Sequence, residues 1–226
     1  MSDTTSDSVT IDALYAGLQP VNKQSGAVTI AASQTLARGA AIGKVLLGAV
    51  TAAAGESNTG DGTCTALAVL PGDGSAVVGA YNLECTAEAA HGGTFKLEDP
   101  NGKLISDNLV MTASTGVATV LNAGGLTFTL TDGAEDFDTG DTFAITVAAG
   151  SGQGKALDKT ATDGSSEIYG ILTEAVTTGA GETQAAPVDL TGSFNTAVVT
   201  FASGTAYTDI EADARDKGIY FKSQAY

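Results

Sequence analysis

Short runs of alternating apolar and polar residues dominate the chain and predict a mainly β fold. Seven of them lie in the middle of the chain: TALAVL, AYNLECTA, TFKLED, KLISDNL, VATVL, LTFTL and TFAITVA. Glycine, asparagine and aspartate separate the runs, and this spacing is typical of an antiparallel, Ig-like β-sandwich. The DPNGK turn at 99–103 is a strong hairpin signal, because Asn-Gly tolerates positive φ angles.

Apolar runs on both sides of this region predict a second, discontinuous domain. AVTIAA and GKVLLGAV precede the region, and GILTEAVTT, APVDLTGSF and TAVVTFA follow it. The glycine-rich stretches 55–62 and 150–154 have the composition of linkers. We therefore expect a β-sandwich at 63–149, inserted into a domain made of 27–62 and 150–226.

One segment near the end has the pattern of a helix. TDIEADARDK at 208–217 places Thr208 and Glu211 at the spacing of a capping box. Glu211 and Arg215 are spaced for an i,i+4 ion pair, and Gly218 suits the C-terminal stop. The run IYF that follows predicts a short closing strand.

The first 26 residues are polar overall but carry apolar side chains at intervals. These are Ile11, Leu14, Tyr15 and Leu18, followed by Pro20 and Val21. The pattern fits a short amphipathic turn or an extended arm. Docking of these side chains onto another chain and packing onto their own domain are both compatible with it.

Charge narrows the choice of partners. The 226 residues carry a net charge of -16 and have a pI of about 4.1. Such a surface repels phosphate backbones and anionic lipid heads, so we expect neither nucleic acid nor membrane as a partner. The N-terminus MSDTTSDSVT lacks the layout of a secretory signal, which predicts synthesis in a cytoplasm.

The two cysteines leave two interpretations open. A hairpin turning near Gly74-Ser75 would set Cys64 opposite Cys85 and permit a disulfide. Two buried, reduced thiols in a cytosolic protein are the favoured interpretation.

The stretch LARGAAIGKV at 36–45 looks like a phosphate-binding loop but fails its spacing. Only three residues separate Gly39 from Gly43, and Val45 rather than Ser or Thr follows Lys44. Nucleotide binding is therefore not expected.

Other chemistry-bearing residues are scattered. His91 is the only histidine and lies in the turn AAHGGT, and the pair Ser165-Ser166 lacks a nucleophile-elbow context. In the acidic loop 132–141, oxygens of Asp136, Asp138 and Asp141 could bind calcium, but their order does not fit an EF-hand, and a solvated turn is favoured. We expect no catalysis, metal or cofactor.

The segments outside the sandwich resemble the lambda-type phage head decoration proteins. Family members carry an "rG..lGk" turn, a "DGS…GIL" strand, and a closing helix followed by Gly-Ile. The matching positions here are Arg38, Gly39, Gly43, Lys44, Asp163, Gly164, Ser165, Gly170, Ile171, Leu172, Gly218 and Ile219. LYAGLQPV resembles the arms of these proteins, and the inserted part resembles sandwich insertions of larger relatives.

The resemblance implies a β-clip-like domain with one or two short helices and a homotrimer on the exterior of the virion. It also implies a cementing role at the three-fold positions of the expanded capsid, with the major capsid protein as partner and residues 1–26 as a capsid-binding arm. Two alternatives remain: an adhesion module whose sandwich binds host-surface glycan through exposed aromatic residues, and a small hydrolase. Contact with a host surface could also be a secondary role of the sandwich.

Overall fold

A computed structural model describes residues 12–16, 23–112 and 118–223, and it confirms a mainly β fold. Its single helix in these ranges is α1 (Tyr207–Asp216). Its strands are β1 (Gln24–Ile30), β2 (Thr35–Leu36), β3 (Ala41–Lys44), β4 (Leu47–Ala54), β5 (Thr63–Val69), β6 (Gly79–Ala89), β7 (Gly92–Glu98), β8 (Leu104–Met111), β9 (Thr119–Ala123), β10 (Leu126–Thr131), β11 (Thr142–Ala149), β12 (Gly154–Ala156), β13 (Ile168–Leu172), β14 (Val176–Thr177), β15 (Gln184–Asn195) and β16 (Ile219–Lys222).

The chain divides into two compact units. The inserted unit comprises Lys44–Gln153 and Lys159–Glu167. The host unit comprises Met1–Gly43, Gly154–Asp158 and Ile168–Tyr226.

The inserted unit is a sandwich of two antiparallel sheets. Five strands pair in the order β4-β11-β6-β7-β8, and three pair in the order β5-β10-β9. Side chains from both sheets share one core, in which Phe137 makes edge contacts with Phe95 and Phe143 at centroid distances of 5.3 and 6.0 Å. The seven predicted strands correspond to β5–β11, since their alternating residues point to this core.

The predicted hairpin at 99–103 joins β7 to β8. The N–H of Asp99 donates to the carbonyl of Lys103 at 2.8 Å, and the N–H of Asn101 donates to the Asp99 carboxylate at 2.8 Å. Gly102 takes the positive φ, at 77°. Glycine is needed there because a side chain would be strained.

The hairpin that would set the two cysteines opposite each other does not form. β5 pairs with β10 and β6 pairs with β11 and β7, so Cys64 and Cys85 lie in different sheets. Both are free and buried, as the favoured interpretation had it. Burial raises the pKa of Cys64 to about 12 and also raises the pKa of Cys85, so both remain thiols at neutral pH.

The insertion begins at Lys44, which differs from the predicted boundary at 63. β4 was assigned to the surrounding domain, but it pairs with β11 in the sandwich. The stretch 55–62 is not a linker, because the buried carboxylate of Asp141 accepts the N–H groups of Thr59 at 2.8 Å and Gly60 at 3.0 Å. Downstream, the predicted linker 150–154 does contain a boundary between the two units, which lies between Gln153 and Gly154.

The two ends of the first inserted segment are joined to each other. The N–H of Val45 donates to the carbonyl of Gln153 at 2.9 Å, and the N–H of Gly152 donates back to the carbonyl of Val45 at 2.8 Å. The chain therefore enters and leaves the sandwich at adjacent positions.

The host unit is built on a small closed barrel. Its strands pair in the order β1-β12-β3-β13-β15, and antiparallel pairing of β1 with β15 closes the ring. β16 runs parallel to the end of β15. The barrel interior is aliphatic, with Val28, Ile30, Ile42, Leu172 and Val188 buried together.

α1 packs against a second core of the host unit through Ile210 and Ala214. It begins one residue before the predicted start, and its first turn is capped by Asp209, whose carboxylate accepts the N–H of Ala206 at 2.8 Å. The Glu211–Arg215 pair forms at 2.8 Å. Within the described ranges, no helix has the length and apolar character needed to cross a membrane.

The run TAVVTFA at 196–202 predicted a strand, but the chain turns there. Buried Asn195 makes the turn: its side-chain oxygen accepts the N–H of Ala197 at 3.0 Å, and its carbonyl accepts the N–H of Val198 at 3.0 Å. A side-chain acceptor of this kind competes with strand pairing.

Asp141 provides a test of the sandwich. Burial alone raises its pKa, but the N–H groups of Asp138, Thr59 and Gly60 outweigh burial and hold the pKa below its ordinary value. We expect Asp141→Asn to lower the free energy of unfolding by about 1.5–3 kcal/mol in urea titrations at neutral pH, because an amide NH₂ then faces N–H donors.

The exposed neighbour Asp138 supplies the control, and we expect Asp138→Asn to change stability by less than about 0.5 kcal/mol. Because the folded pKa of Asp141 is depressed, its stabilisation is present above about pH 4 and is lost as pH falls through the folded pKa. The difference between wild type and Asp141→Asn should therefore narrow in acid. Equal losses in the two variants would contradict this role.

Candidate functional site

The N-terminal segment, residues 12–16, is attached to the host unit by main-chain hydrogen bonds. Asp12 closes a turn by accepting the N–H of Leu14 at 3.0 Å. Tyr15 then forms an antiparallel bridge with Phe194 of β15, and the carbonyl of Leu14 accepts the N–H of Asn195 at 2.9 Å. The segment therefore pairs with the end of β15 as a strand would, but through a single residue pair.

Two of the predicted arm residues belong to the core of the host unit. Leu14 is fully buried, and the ring of Tyr15 lies 5.8 Å from that of Phe194. They are therefore not exposed anchors for a partner; packing onto their own domain, the other interpretation of the pattern, describes them. Ile11, Leu18, Pro20 and Val21 lie outside the described residues.

A buried polar cluster fixes Tyr15. Its hydroxyl donates to Asp189 Oδ2 at 2.7 Å, and the hydroxyl of Ser25 donates to Asp189 Oδ1 at 2.7 Å. Lys23 Nζ lies 3.3 Å from Asp189 Oδ2 and donates to the Tyr15 oxygen at 2.8 Å. The Asp189 side chain is wholly buried, so these donors supply the hydrogen bonds that water would otherwise give.

Tyr15 and Lys23 keep their protons over a wide pH range. Burial raises the pKa of Tyr15, and its hydrogen bond to Asp189 acts in the same direction. The hydrogen bond to Tyr15, followed by the one to Asp189, raises the pKa of Lys23. Tyr15 therefore remains a donor and Lys23 a cation well above neutral pH.

Arg38 of the family motif adds a second link to the segment. Its Nε donates to the carbonyl of Thr173 at 2.9 Å, and its guanidinium pairs with Asp12. That pairing is the main cause that holds the pKa of Asp12 below its ordinary value. One side chain therefore connects the segment to the end of β13.

Gly39 and Gly43, the two glycines of the supposed phosphate loop, have different structural roles. Gly39 has a φ of 91°, and a Cβ there would lie 2.8 Å from the carbonyl oxygen of Val198. Gly43 is not at a turn but in β3, opposite Ile168. Lys44 ends this strand. Because a strand rather than a helix follows the turn, the stretch offers no helix N-terminus to a phosphate.

The remaining motif residues do not form one site. In the inserted unit, Asp163 Oδ1 accepts the N–H and the hydroxyl of Ser165 at 3.1 and 2.6 Å, with Gly164 at a φ of 87°. In the host unit, a Cβ on Gly170 would lie 2.8 Å from the carbonyl oxygen of Asp189. Buried Ile171 lies in the host core, and Gly218 ends α1 at a φ of 76°. The glycines among them allow the backbone conformation or a close contact, and Ile171 packs in the core.

The sequence interpretation missed a cluster around His91. In its turn, His91 contacts two carboxylates: Nδ1 lies 3.0 Å from Asp132 Oδ2 and 3.2 Å from Asp136 Oδ1. Of the acidic residues singled out as possible calcium ligands, only Asp136 belongs to this group, since Asp141 is occupied by backbone donors. Asp132 carries no local signal beyond its place after a predicted strand.

Aromatic residues of the inserted unit do not form an exposed face among the described residues. Each is at most 2% exposed: Tyr81, Phe95, Phe128, Phe137 and Phe143. Glycan recognition by ring stacking on this sandwich therefore has no platform in the part of the chain that the structure describes.

A groove lies beside the N-terminal segment in the host unit. β15 pairs with β1 up to Thr191 and with β16 from Gly192 onward, and the groove is lined by residues from all three strands. It has a volume of about 610 Å³ and is lined by Lys23, Gln24, Thr191, Ser193, Gly218, Tyr220 and Lys222. Two lysines line the groove, and one of them, Lys23, is paired with the buried carboxylate of Asp189.

Comparison with known proteins gives little. No protein-family model matches, and no curated protein matches. Two crystal forms of FlgL from Xanthomonas campestris align with TM-scores of 0.34 at 24% identity, covering 50% and 51% of this chain and 33% of theirs. The flagellar junction protein FlgL from Legionella pneumophila aligns with a TM-score of 0.33 at 13% identity, covering 50% of this chain and 36% of its own. The alignments thus span about a third of each flagellar protein, and these similarities are too weak to identify a family or a function.

The Tyr15 cluster provides a second test. Tyr15→Phe removes one donor from the buried carboxylate of Asp189, and we expect the free energy of unfolding to fall by about 1–3 kcal/mol in urea titrations at neutral pH. The matched control is Tyr220→Phe, since Tyr220 is 45% exposed in the same unit. A loss of the same size in both variants would show that the buried hydroxyl has no special role.

The pH dependence gives an independent check. A raised folded pKa means that the contribution of Tyr15 is fully present below the unfolded pKa of about 10 and is lost as pH rises through the folded pKa. The stability difference between wild type and Tyr15→Phe should therefore shrink in strongly alkaline solution.

Proposed function

We propose that the chain is a phage head decoration protein of the lambda type, which binds the outer surface of the expanded capsid as a homotrimer at three-fold positions. The major capsid protein is the partner, and the activity is to stabilise the shell without catalysis. The observation that carries the proposal is the fixed attachment of residues 12–16 to the host barrel, directly after the mostly polar residues 1–11.

A cement must transmit force from its contacts to a rigid body. Here the root of the N-terminal segment is held in three ways: by main-chain bonds to β15, by the buried hydroxyl of Tyr15 and by the pairing of Asp12 with Arg38. A pull on residues 1–11 would reach the closed barrel through these contacts. In a trimer, three such segments would act together, so modest contacts would combine through effective concentration.

Two further observations support the proposal. The motif order of the family runs along the chain from Arg38 to Gly218, and four of its glycines occupy positions where a side chain would clash or be strained: Gly39, Gly164, Gly170 and Gly218. The net charge of -16 disfavours nucleic acid and anionic membranes as partners.

The structure shows which N-terminal deletion can test this function without removing part of the core. Deleting residues 1–11 spares Leu14, Tyr15 and β1, whereas a deletion of residues 1–26 would remove core side chains and the start of β1. We expect the 1–11 deletion to unfold at the wild-type temperature and to remain trimeric by sedimentation. It should lose co-sedimentation with expanded shells assembled from the major capsid protein of the same phage.

The control replaces residues 1–11 by a Gly-Ser sequence of the same length, which should behave like the deletion. Undiminished attachment of either variant would exclude the segment as the capsid contact. A low-resolution image of the particle tests the function itself: trimeric knobs at the three-fold positions are expected, and their absence would overturn the proposal.

A further inference from the structure

Three side chains from two loops of the inserted unit converge on one point. His91 is the second residue of the tight turn between β6 and β7, Asp132 directly follows β10, and Asp136 lies in the same loop as Asp132. One ligand atom from each residue lies within 4.8 Å of the others. The donor set is one imidazole nitrogen and two carboxylates.

Asp132 is the unusual member of this group. Its side chain is wholly buried, and Oδ2 faces the His91 ring at 3.0 Å. Its other oxygen, Oδ1, receives no hydrogen bond from any residue that the structure describes. A buried carboxylate oxygen without a hydrogen-bond donor is unfavourable, so a partner other than a protein N–H or O–H group would stabilise this atom. A cation bound by both oxygens of Asp132 would be such a partner.

Asp136 is held in place from both sides. Its Oδ1 accepts the N–H of His91 at 2.9 Å, which ties it to the turn that carries the imidazole. On one side of Asp136, Asp61 accepts the N–H of Glu135 at 2.9 Å, and on the other, Asp141 accepts the N–H of Asp138 at 2.9 Å. Ligands fixed by such outer contacts need little rearrangement on binding an ion.

His91 is held in an uncommon backbone conformation. Its φ is 58°, a left-handed value that few residues other than glycine adopt. This conformation presents both the backbone N–H and Nδ1 of His91 to Asp136. Strained residues of this kind persist where the surroundings hold them, and they are enriched at ligand sites.

We infer that His91, Asp132 and Asp136 bind a divalent transition-metal ion of the Zn²⁺ class. Zn–N and Zn–O bonds of about 2.0–2.2 Å at tetrahedral angles place ligand atoms about 3.3 Å apart. The observed separations of 3.0 and 3.2 Å from Nδ1 require only a small expansion. Ca²⁺ prefers six to eight oxygen ligands, so an imidazole with two carboxylates suits it poorly.

The cluster also has room for further ligands. Asp136 lines an open cavity of about 440 Å³ together with Glu88, Ala89, Ala90, Phe137 and Asp138. Water in this cavity can complete the coordination on the side of Asp136. A bound ion would fasten the β6–β7 turn to the 132–141 loop and so stabilise this end of the sandwich.

Titration of the full chain with Zn²⁺ tests the site. The chain is used without a histidine tag, since His91 is its only histidine, and is first treated with a chelator. Calorimetry should give one Zn²⁺ per chain. His91→Asn, which tolerates the left-handed backbone, and Asp136→Asn should each weaken binding at least tenfold. Glu135→Gln, the adjacent residue with the same loss of charge, should change it less than twofold.

The single histidine also gives a direct spectroscopic readout. One equivalent of Zn²⁺ should shift the ring signals of His91 in NMR spectra, and the shift should be complete at a 1:1 ratio. Three results would each overturn the inference: no stoichiometric Zn²⁺ binding by wild type, unchanged affinity in a folded His91→Asn, or tighter binding of Ca²⁺ than of Zn²⁺. The wild-type titration and ring signals decide the matter even if a variant fails to fold.

Discussion

Buried carboxylates must find hydrogen-bond donors, and this constraint organises both units. In the host unit, Asp189 is fully buried and receives donors from Tyr15 of the N-terminal segment, Ser25 of β1 and Lys23, the residue before β1. In the inserted unit, Asp141 collects backbone N–H groups from two loops. Each carboxylate therefore helps to fix the chain segments that supply its donors, because releasing them would leave a buried charge unpaired.

The strands of the sandwich could be predicted because their signal is local. Alternation along β10, where Leu126, Phe128 and Leu130 point to the core, is visible in six residues of sequence. The role of the loop 55–62, by contrast, could not be predicted from its local sequence. Its glycines and polar residues are typical of a linker, yet Thr59 binds a carboxylate 82 positions away. Composition cannot reveal such a partner, and the same holds for the turn that Asn195 makes.

The candidate sites were less predictable than the fold. The apolar spacing around Leu14 and Tyr15 is visible in the sequence, but spacing alone does not show whether an apolar side chain faces its own domain or another chain. His91 and Asp132 are 41 positions apart, and only the pairing of β6 with β7 and the course of the loop after β10 bring them together. No spacing rule for metal ligands covers such a pair, so its detection needed the fold.

The hydrogen bonds between Val45 and the 152–153 segment bear on the order of folding. β3 and β12 are neighbours in the barrel although residues 45–153 lie between them in the chain. Closing a loop of that length has an entropic penalty that grows with the logarithm of its size. A sandwich that folds first holds its two ends together and reduces this loop to a few residues. Assembly of the barrel should then wait for the sandwich, which would make the insertion an internal template for the domain that it interrupts.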